Sequence, residues 1–337
     1  MYNMDTMPLR KGHIWILIIA SAGQFFGGVL AILVGVIAPL ITITHHPELS
    51  SWLQGFIFSA GLIGIMLGSL LFGRLSDKYG YLFFFRLSPL LIVGSSLWLC
   101  FNPSLVTLPI NLLIIGLAIG GDYALDPSYV SEIMPQKWRR TMLGISKASS
   151  GVGNILMILV AWFVLKNSAD PAIWNRLFLF LTFFAALAFS GRLWFVESPE
   201  WLALHGKVQE AEKNIKHFLG KDVYIGELAN KKDQTTRPQA SAKDLFARGN
   251  IKRILLSGIP CGCEGMGVYG IGIFTPILLL TLGLVPSGEN PFDKVVESFR
   301  FTLYINLFVM LGFLLGLTVV RRISIIHTQS TGFFICA

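Results

Sequence analysis

The chain has 337 residues, 53% of them hydrophobic and only 14% charged, with a mean hydropathy of +0.65. Soluble globular domains carry about 25% charge, so the composition excludes that class and points to a polytopic membrane protein. A net charge of +8 in a soluble domain would suggest nucleic acid, but the basic residues fall in alternate loops and not along one face, so no nucleic-acid partner is expected.

At the N-terminus, Arg10 and Lys11 precede an apolar stretch far longer than a signal-peptide core, with no small-residue cleavage site, so the first helix is expected to be retained. A membrane-spanning helix needs about 20 mostly apolar residues, and such segments occur near 14–42, 52–73, 81–101, 105–130, 143–165, 174–196, 253–284 and 299–320. Lys and Arg then set the orientation. Arg10 and Lys11, Arg74, Lys78 and Arg86, Lys137, Arg139 and Arg140, the segment after Glu197, and Arg321 and Arg322 flank every second loop. The loops around His45 and Asn102 carry no Lys or Arg. The positive-inside rule places the N-terminus in the cytoplasm of a multi-pass protein of the plasma (inner) membrane.

The one large polar excursion runs from 197 to 252. Its first part, Trp201 to Leu219, spaces Leu204, Val208, Ala211, Ile215 and Phe218 at helical intervals, which predicts an amphipathic surface helix. Lys231 to Lys243 is polar and reads as a linker. The expected organisation is a six-helix bundle over 1–196, a cytoplasmic linker over 197–252 and a partial second bundle over 253–337. A weak internal repeat fits this plan: Gly73 to Gly80 follows the second helix, and Gly316 to Ile323 follows the eighth with Gly and a basic residue at matching spacing. The cysteines, Cys100, Cys261, Cys263 and Cys336, have no metal-ligand spacing with histidines, so neither a zinc site nor a disulfide framework is expected, nor any cofactor.

The fourth apolar run ends in G-G-D-Y-A-L-D-P-S-Y-V-S-E, Gly120 to Glu132, with three carboxylates. An ionised Asp at the centre of a bilayer costs roughly 2.5 to 3.5 kcal/mol on insertion scales, so it usually faces a protein interior or a wet path. Asp122 and Asp126 are four apart and share a helix face. Asp122, deeper and flanked by Gly, is read as a group that takes and releases a proton. Asp126, before Pro127, is read as capping a broken helix end, and Glu132 as pairing with Arg139 or Arg140. On the fifth helix Lys147 is read as snorkelling to the surface. Asn154 could bond a substrate, but packing against a neighbouring helix is the favoured reading.

Several motifs together resemble the major facilitator superfamily, secondary transporters with two six-helix bundles. Gly73-Arg74-Leu75-Ser76-Asp77-Lys78-Tyr79-Gly80 is similar to the loop motif of that superfamily. The resemblance implies a gating latch of Gly73, Asp77, Lys78 and Gly80, with Arg86 standing in for an absent Arg pair and Asp77 pairing with basic residues and helix ends. Glu197-Ser198-Pro199-Glu200-Trp201 resembles a sugar-porter signature, with Glu200 where Arg is usual; Ser198-Pro199 also reads as a helix start. Gly120 to Glu132 resembles the signature of phosphate:proton symporters, which implies proton coupling and substrate binding at Asp122 and a substrate-lining role for Tyr123. Tyr269 to Pro276 resembles the seventh-helix segment of those symporters, with Glu264 one residue early, about 100° around the helix; Glu264 either serves a related role or faces a neighbouring helix.

The resemblance implies an all-α polytopic membrane protein with a major facilitator fold, a complete N-terminal six-helix bundle and an incomplete C-terminal bundle. The implied activity is proton-coupled symport of a small polar metabolite, with phosphate, an organic ion and a sugar all possible. Its partners would be that small molecule, the proton and the lipid bilayer; the oligomeric state stays open. The substrate cavity would hold Tyr123, Glu264, Tyr269 and Asn154, and ion pairs at the cytoplasmic side would use Glu132, Arg139, Arg140 and Glu197. The rival expectation is a truncated, transport-incompetent product, because the superfamily plan has twelve helices. An enzyme is not expected, since no metal-ligand cluster or nucleophile-and-base spacing occurs in the loops.

Overall fold

The computed structural model describes residues 2–3, 6–45, 50–168, 170–220, 223–224, 248–285, 290–320 and 325–336. The linker Lys231–Lys243, the basic pair Arg321 and Arg322 and the His46 loop lie outside the described residues. The described chain is an all-α polytopic membrane protein apart from a two-residue parallel pairing of Tyr2–Asn3 with Val223–Tyr224.

Among the described residues, eight helices are long and apolar enough to cross a membrane: Lys11–Thr44, Gln54–Tyr79, Tyr81–Phe101, Thr107–Ile133, Gln136–Lys166, Ile173–Arg192, Gly249–Thr281 and Pro291–Val319. They are called the first to eighth spans below. Apolar sequence forces this choice, because a helix bonds its own backbone where lipid offers no partner. The second span runs on to Tyr79 and the fifth begins at Gln136, beyond the apolar windows near 73 and 143. Arg and Lys are good helix formers, so polar headgroup-level residues prolong the helix after hydropathy has fallen. Gly80, at φ +92°, ends that run in a conformation that L side chains rarely adopt.

The second and fourth spans pack closely through glycine. A Cβ on Gly64 would stand 2.2 Å from the Leu113 carbonyl oxygen, and one on Gly120 would stand 2.1 Å from that of Ile65, so only glycine lets the two backbones approach this far. The first span lies against the fifth, the third against the fourth and sixth. Its helix breaks at Ser21, between Lys11–Ala20 and Ala22–His45. The Ser21 hydroxyl donates to the Leu17 carbonyl at 2.6 Å, and the fifth-span Ser149 hydroxyl donates to the Ser21 carbonyl at 2.9 Å, so the break is held in place.

The first six spans enclose a core around Leu33, Ile37, Ile115, Ile119, Met157 and Leu181. A second cluster fills the end of the bundle where the Lys and Arg residues gather, with Phe85, Tyr129 and Phe195 in mutual ring contact at 5.2 to 5.6 Å. The seventh span packs on the first, and the eighth on the fifth. Within the seventh, Met266–Ile271 forms a wider π-type turn, a local distortion that often marks functional positions.

The single surface helix expected from Trp201 to Leu219 is two helices, Pro199–Leu204 and Val208–Leu219. Gly206, at φ +77°, divides them: the Gly206 N–H donates to the Ala203 carbonyl and the Lys207 N–H to the Leu202 carbonyl, the paired bonds of a Schellman cap. Side-chain periodicity carried across this turn because Gly206 contributes no apolar position. The second helix buries Ala211, Ile215 and Leu219 against the bundle.

Candidate functional site

Arg192, the last residue of the sixth span, is fully buried and turns inward to the two fourth-span aspartates. Its Nη1 donates to Asp122 Oδ1 at 2.8 Å and to the Phe85 carbonyl at 3.0 Å, while Nη2 lies 3.5 Å from Asp126 Oδ1. The guanidinium also sits 5.2 Å from the centre of the Phe85 ring. All three charged side chains have no exposure. Two carboxylates facing one guanidinium carry one negative charge in excess if all are ionised, and an uncompensated buried charge costs several kcal/mol. The Phe85, Tyr129 and Phe195 rings sit beside this trio at the loop end of the bundle.

The expectation for Asp126 is corrected here. The fourth span continues through Pro127 to Ile133, so there is no broken end for Asp126 to cap. Proline removes one backbone donor, but the surrounding helices hold the chain in line. Asp126 Oδ2 instead accepts the Gly23 N–H of the first span at 3.1 Å, just past the Ser21 break. A Cβ on Gly23 would meet Asp126 Oδ2 at 2.4 Å and Asp122 Cβ at 2.2 Å, so glycine is what admits the fourth span to this contact. Arg192 was missed by sequence reasoning. The available signal was an Arg inside an apolar window that reached residue 196, which by the logic applied to Asp122 required a buried partner.

One turn along, Tyr123 meets the seventh span. The Tyr269 hydroxyl, in the π-type turn, donates to the Tyr123 hydroxyl at 3.1 Å, and Gly27 accommodates the ring, since a Cβ there would stand 1.7 Å from its oxygen. The amides of Asn154 on the fifth span and Asn306 on the eighth meet at 2.9 Å, as favoured for Asn154. A narrow cleft between the first, second and seventh spans is lined by Gly27, Leu30, Phe58, Gly61, Tyr269 and Ile273. Glu264 stands apart from Tyr269's partners: it lies 3.8 Å from Lys147, with both side chains about half exposed at 54% and 51%. That pair contributes little to stability.

At the Lys- and Arg-rich end the structure replaces expected ion pairs with neutral donors. Glu197 accepts from the backbone N–H groups of Tyr81 at 2.7 Å, Leu82 at 3.2 Å and Ser198 at 3.0 Å. It therefore caps the third span, where the orphan N–H groups and helix dipole favour an anion. Glu132 accepts from the Ser198 hydroxyl, while its expected partners Arg139 and Arg140 lie at the start of the fifth span. Ser198 also caps its own helix through the Trp201 N–H at 3.0 Å, with Pro199 next, as the Ser-Pro pattern predicted. Arg86 donates to the Leu193 carbonyl at 3.0 Å. Of the latch residues, Gly80 faces Glu197, Lys78 lies over the Tyr79 ring, and Gly73 packs beside Ala124. The Asp77 carboxylate makes no ion pair among the described residues; its backbone carbonyl accepts from the Trp201 indole at 3.1 Å.

Comparison with known proteins gives this geometry a setting. A family model described as "Sugar (and other) transporter" matches residues 5–337. The inner membrane metabolite transport protein YgcS of Escherichia coli is 26% identical over 326 residues, covering 96% of this chain and 68% of that protein. The D-xylose transporter of Levilactobacillus brevis is 30% identical over 278 residues, covering 77% of this chain and 57% of that protein. This chain thus spans roughly two thirds or less of the length of these relatives. Among solved structures, the proton:xylose symporter XylE of E. coli, bound to 6-bromo-6-deoxy-D-glucose, superposes with a TM-score of 0.71 at 20% identity, over 92% of this chain and 69% of that one. The shared fold is that of the major facilitator superfamily, and the family consists of transporters, not enzymes.

Proposed function

This chain belongs to the sugar (and other) transporter family of the major facilitator superfamily, and we propose that it is a proton-coupled secondary transporter for a sugar-like metabolite. The observation that carries this reading is the buried trio: one guanidinium faces two carboxylates, and a single proton brings the cluster to neutrality. A group that must gain a proton to balance its neighbours can tie proton movement to rearrangement of the helices around it. Asp122, bonded directly to Arg192, anchors the cluster.

The substrate class is supported by polar groups where the fourth, fifth, seventh and eighth spans meet and by the relatives. Tyr123, Tyr269, Asn154 and Asn306 offer hydroxyls and amides, which suit a polyhydroxylated molecule better than phosphate, whose recognition calls for positive charge. The named D-xylose transporters among the relatives and structures support the same choice. In this reading the first six spans, 1–196, form one bundle and 253–337 belongs to a second, joined by 197–252, with the N-terminus and the Lys- and Arg-rich loops in the cytoplasm of the inner membrane. Substrate reaches a midplane site by rocking of the bundles, and the Glu197 cap with the Gly73–Gly80 helix end holds one end closed.

The test is uptake of labelled D-xylose by proteoliposomes under an imposed pH gradient, with a competition panel of hexoses, phosphate and organic anions. Accumulation should collapse with a protonophore and in Asp122→Asn. Accumulation that survives both would overturn proton coupling; competition by phosphate alone would overturn the sugar assignment.

A further inference from the structure

We propose that the transported proton is carried by Asp126, while Asp122 stays ionised as the fixed partner of Arg192. This inference rests on the proton-coupling reading and names the atom group that performs it. The two carboxylates are one helical turn apart and equally buried, yet they are held differently. Asp122 has a 2.8 Å charge-assisted bond from Arg192 Nη1, whereas Asp126 is 3.5 Å from Nη2, outside hydrogen-bond range. A charge-assisted bond is stronger than a neutral one, so the carboxylate that lacks one is the cheaper to neutralise. Asp126 Oδ2 accepts a neutral backbone N–H from Gly23, which a protonated acid retains through its carbonyl oxygen.

Each carboxylate keeps a buried oxygen that can take a proton. Among the described residues, Asp122 Oδ2 and Asp126 Oδ1 accept no hydrogen bond and Arg192 Nε and Nη2 donate none. Asp126 is faced by Asp122 and Tyr123 on its own helix, by Arg192 on the sixth span and by the Gly23 N–H on the first, while the third span meets the cluster at its other members, the Phe85 carbonyl on Arg192 and the Ser88 hydroxyl beside Asp122. Arg192 is therefore the cation through which a change at Asp126 acts.

The proton step balances without any other reactant. A proton arriving through the open side converts the Asp126 carboxylate to the neutral acid, and the trio then holds one positive and one negative charge. Its release to the opposite side restores the carboxylate, which draws Nη2 across the 3.5 Å gap. That movement pulls on the sixth span through Arg192 and on the first span through Gly23, beside the Ser21 break where the first span can bend. Gly27 lies one turn further along that helix and packs against the Tyr123 hydroxyl, which bonds Tyr269, so the protonation state reaches the cleft through the segment from Gly23 to Gly27.

Infrared difference spectra of the full chain in liposomes, recorded on stepping pH, test the assignment through the carboxylic-acid carbonyl band. The band should shift in Asp126→Glu, vanish in Asp126→Asn and hold its position in Asp122→Glu. Size-exclusion profiles establish that each variant is folded, and 13C-aspartate labelling combined with Asp126→Asn makes the same assignment without enlarging the side chain. In transport, Asp126→Asn should bring proton-driven accumulation down to equilibration and flatten the pH profile of uptake. A band that follows Asp122 would overturn this inference and leave proton coupling intact. Gradient-independent uptake by the unmodified chain would overturn the coupling reading itself.

Discussion

Replacing Arg192 with Gln removes the one cation of the buried cluster while keeping a polar, unbranched side chain that is shorter. The substitution deletes the 2.8 Å bond to Asp122, the 3.0 Å bond to the Phe85 carbonyl and the ring contact at 5.2 Å. It leaves two carboxylates with no exposure facing a neutral amide. Breaking a buried ion pair by removing one partner costs about 3–5 kcal/mol, because the remaining charge stays desolvated. Two carboxylates in place of one put Arg192→Gln at the upper part of that range. The triple variant Arg192→Gln, Asp122→Asn, Asp126→Asn removes the stranded charges and should recover most of the loss, since exchanging a whole buried ion cluster for neutral groups is often close to neutral. Thermal unfolding of the purified protein in detergent, followed by tryptophan fluorescence, ranks the three proteins. A single variant as stable as the parent, or a triple variant no better than the single, would refute the claim that electrostatic compensation holds these helices together.

Other substitutions test the remaining contacts. Gly80→Ala places a Cβ 2.4 Å from Glu197 Oε2 and forces alanine to φ +92°, ψ +165°; that essentially glycine-only backbone conformation costs roughly 1–3 kcal/mol, so faster proteolysis at this turn and a lower melting temperature are expected. Glu197→Gln keeps the shape of the third-span cap but not its charge, and should lower stability by about 0.3–1 kcal/mol, an effect that disappears if the anion is not interacting with the helix terminus. Tyr123→Phe and Tyr269→Phe each remove one end of the 3.1 Å hydroxyl contact. In a double-mutant cycle on melting temperature and D-xylose uptake they should be non-additive by about 1 kcal/mol, whereas additive effects would mean that the two hydroxyls act separately.

Much of the architecture was legible because lipid leaves the chain few options. A run of about 20 apolar residues has to be a helix, so all eight spans could be placed from hydropathy, and the largest boundary errors, at Tyr79 and Gln136, fell where charged helix formers extend beyond the apolar window. The Ser198-Pro199 start was legible for a similar reason: the cap uses neighbours in sequence. Gly206 hid the division of the surface helix because a glycine with φ above zero leaves no mark on an amphipathic pattern. Glu132 was assigned to Arg139 or Arg140, close in sequence, and Glu197 to a cytoplasmic ion pair, yet Glu132 accepts from Ser198 and Glu197 from the backbone at the start of the third span.

Asp122 was found from sequence by itself, since a carboxylate beside Gly120 and Gly121 in an apolar run conflicts with its surroundings wherever the helix ends up. Its role depended on what faced it, and that lay 70 residues away on another helix. Helical periodicity put Asp126 on the same face as Asp122, but whether that face met lipid, a loop or Gly23 was decided by how the first and sixth spans pack. Sequence thus determined which residues were costly to bury, because that cost belongs to each side chain. Tertiary structure alone decided how the cost is offset, because one guanidinium shared by two carboxylates is a property of three helices meeting at Gly23.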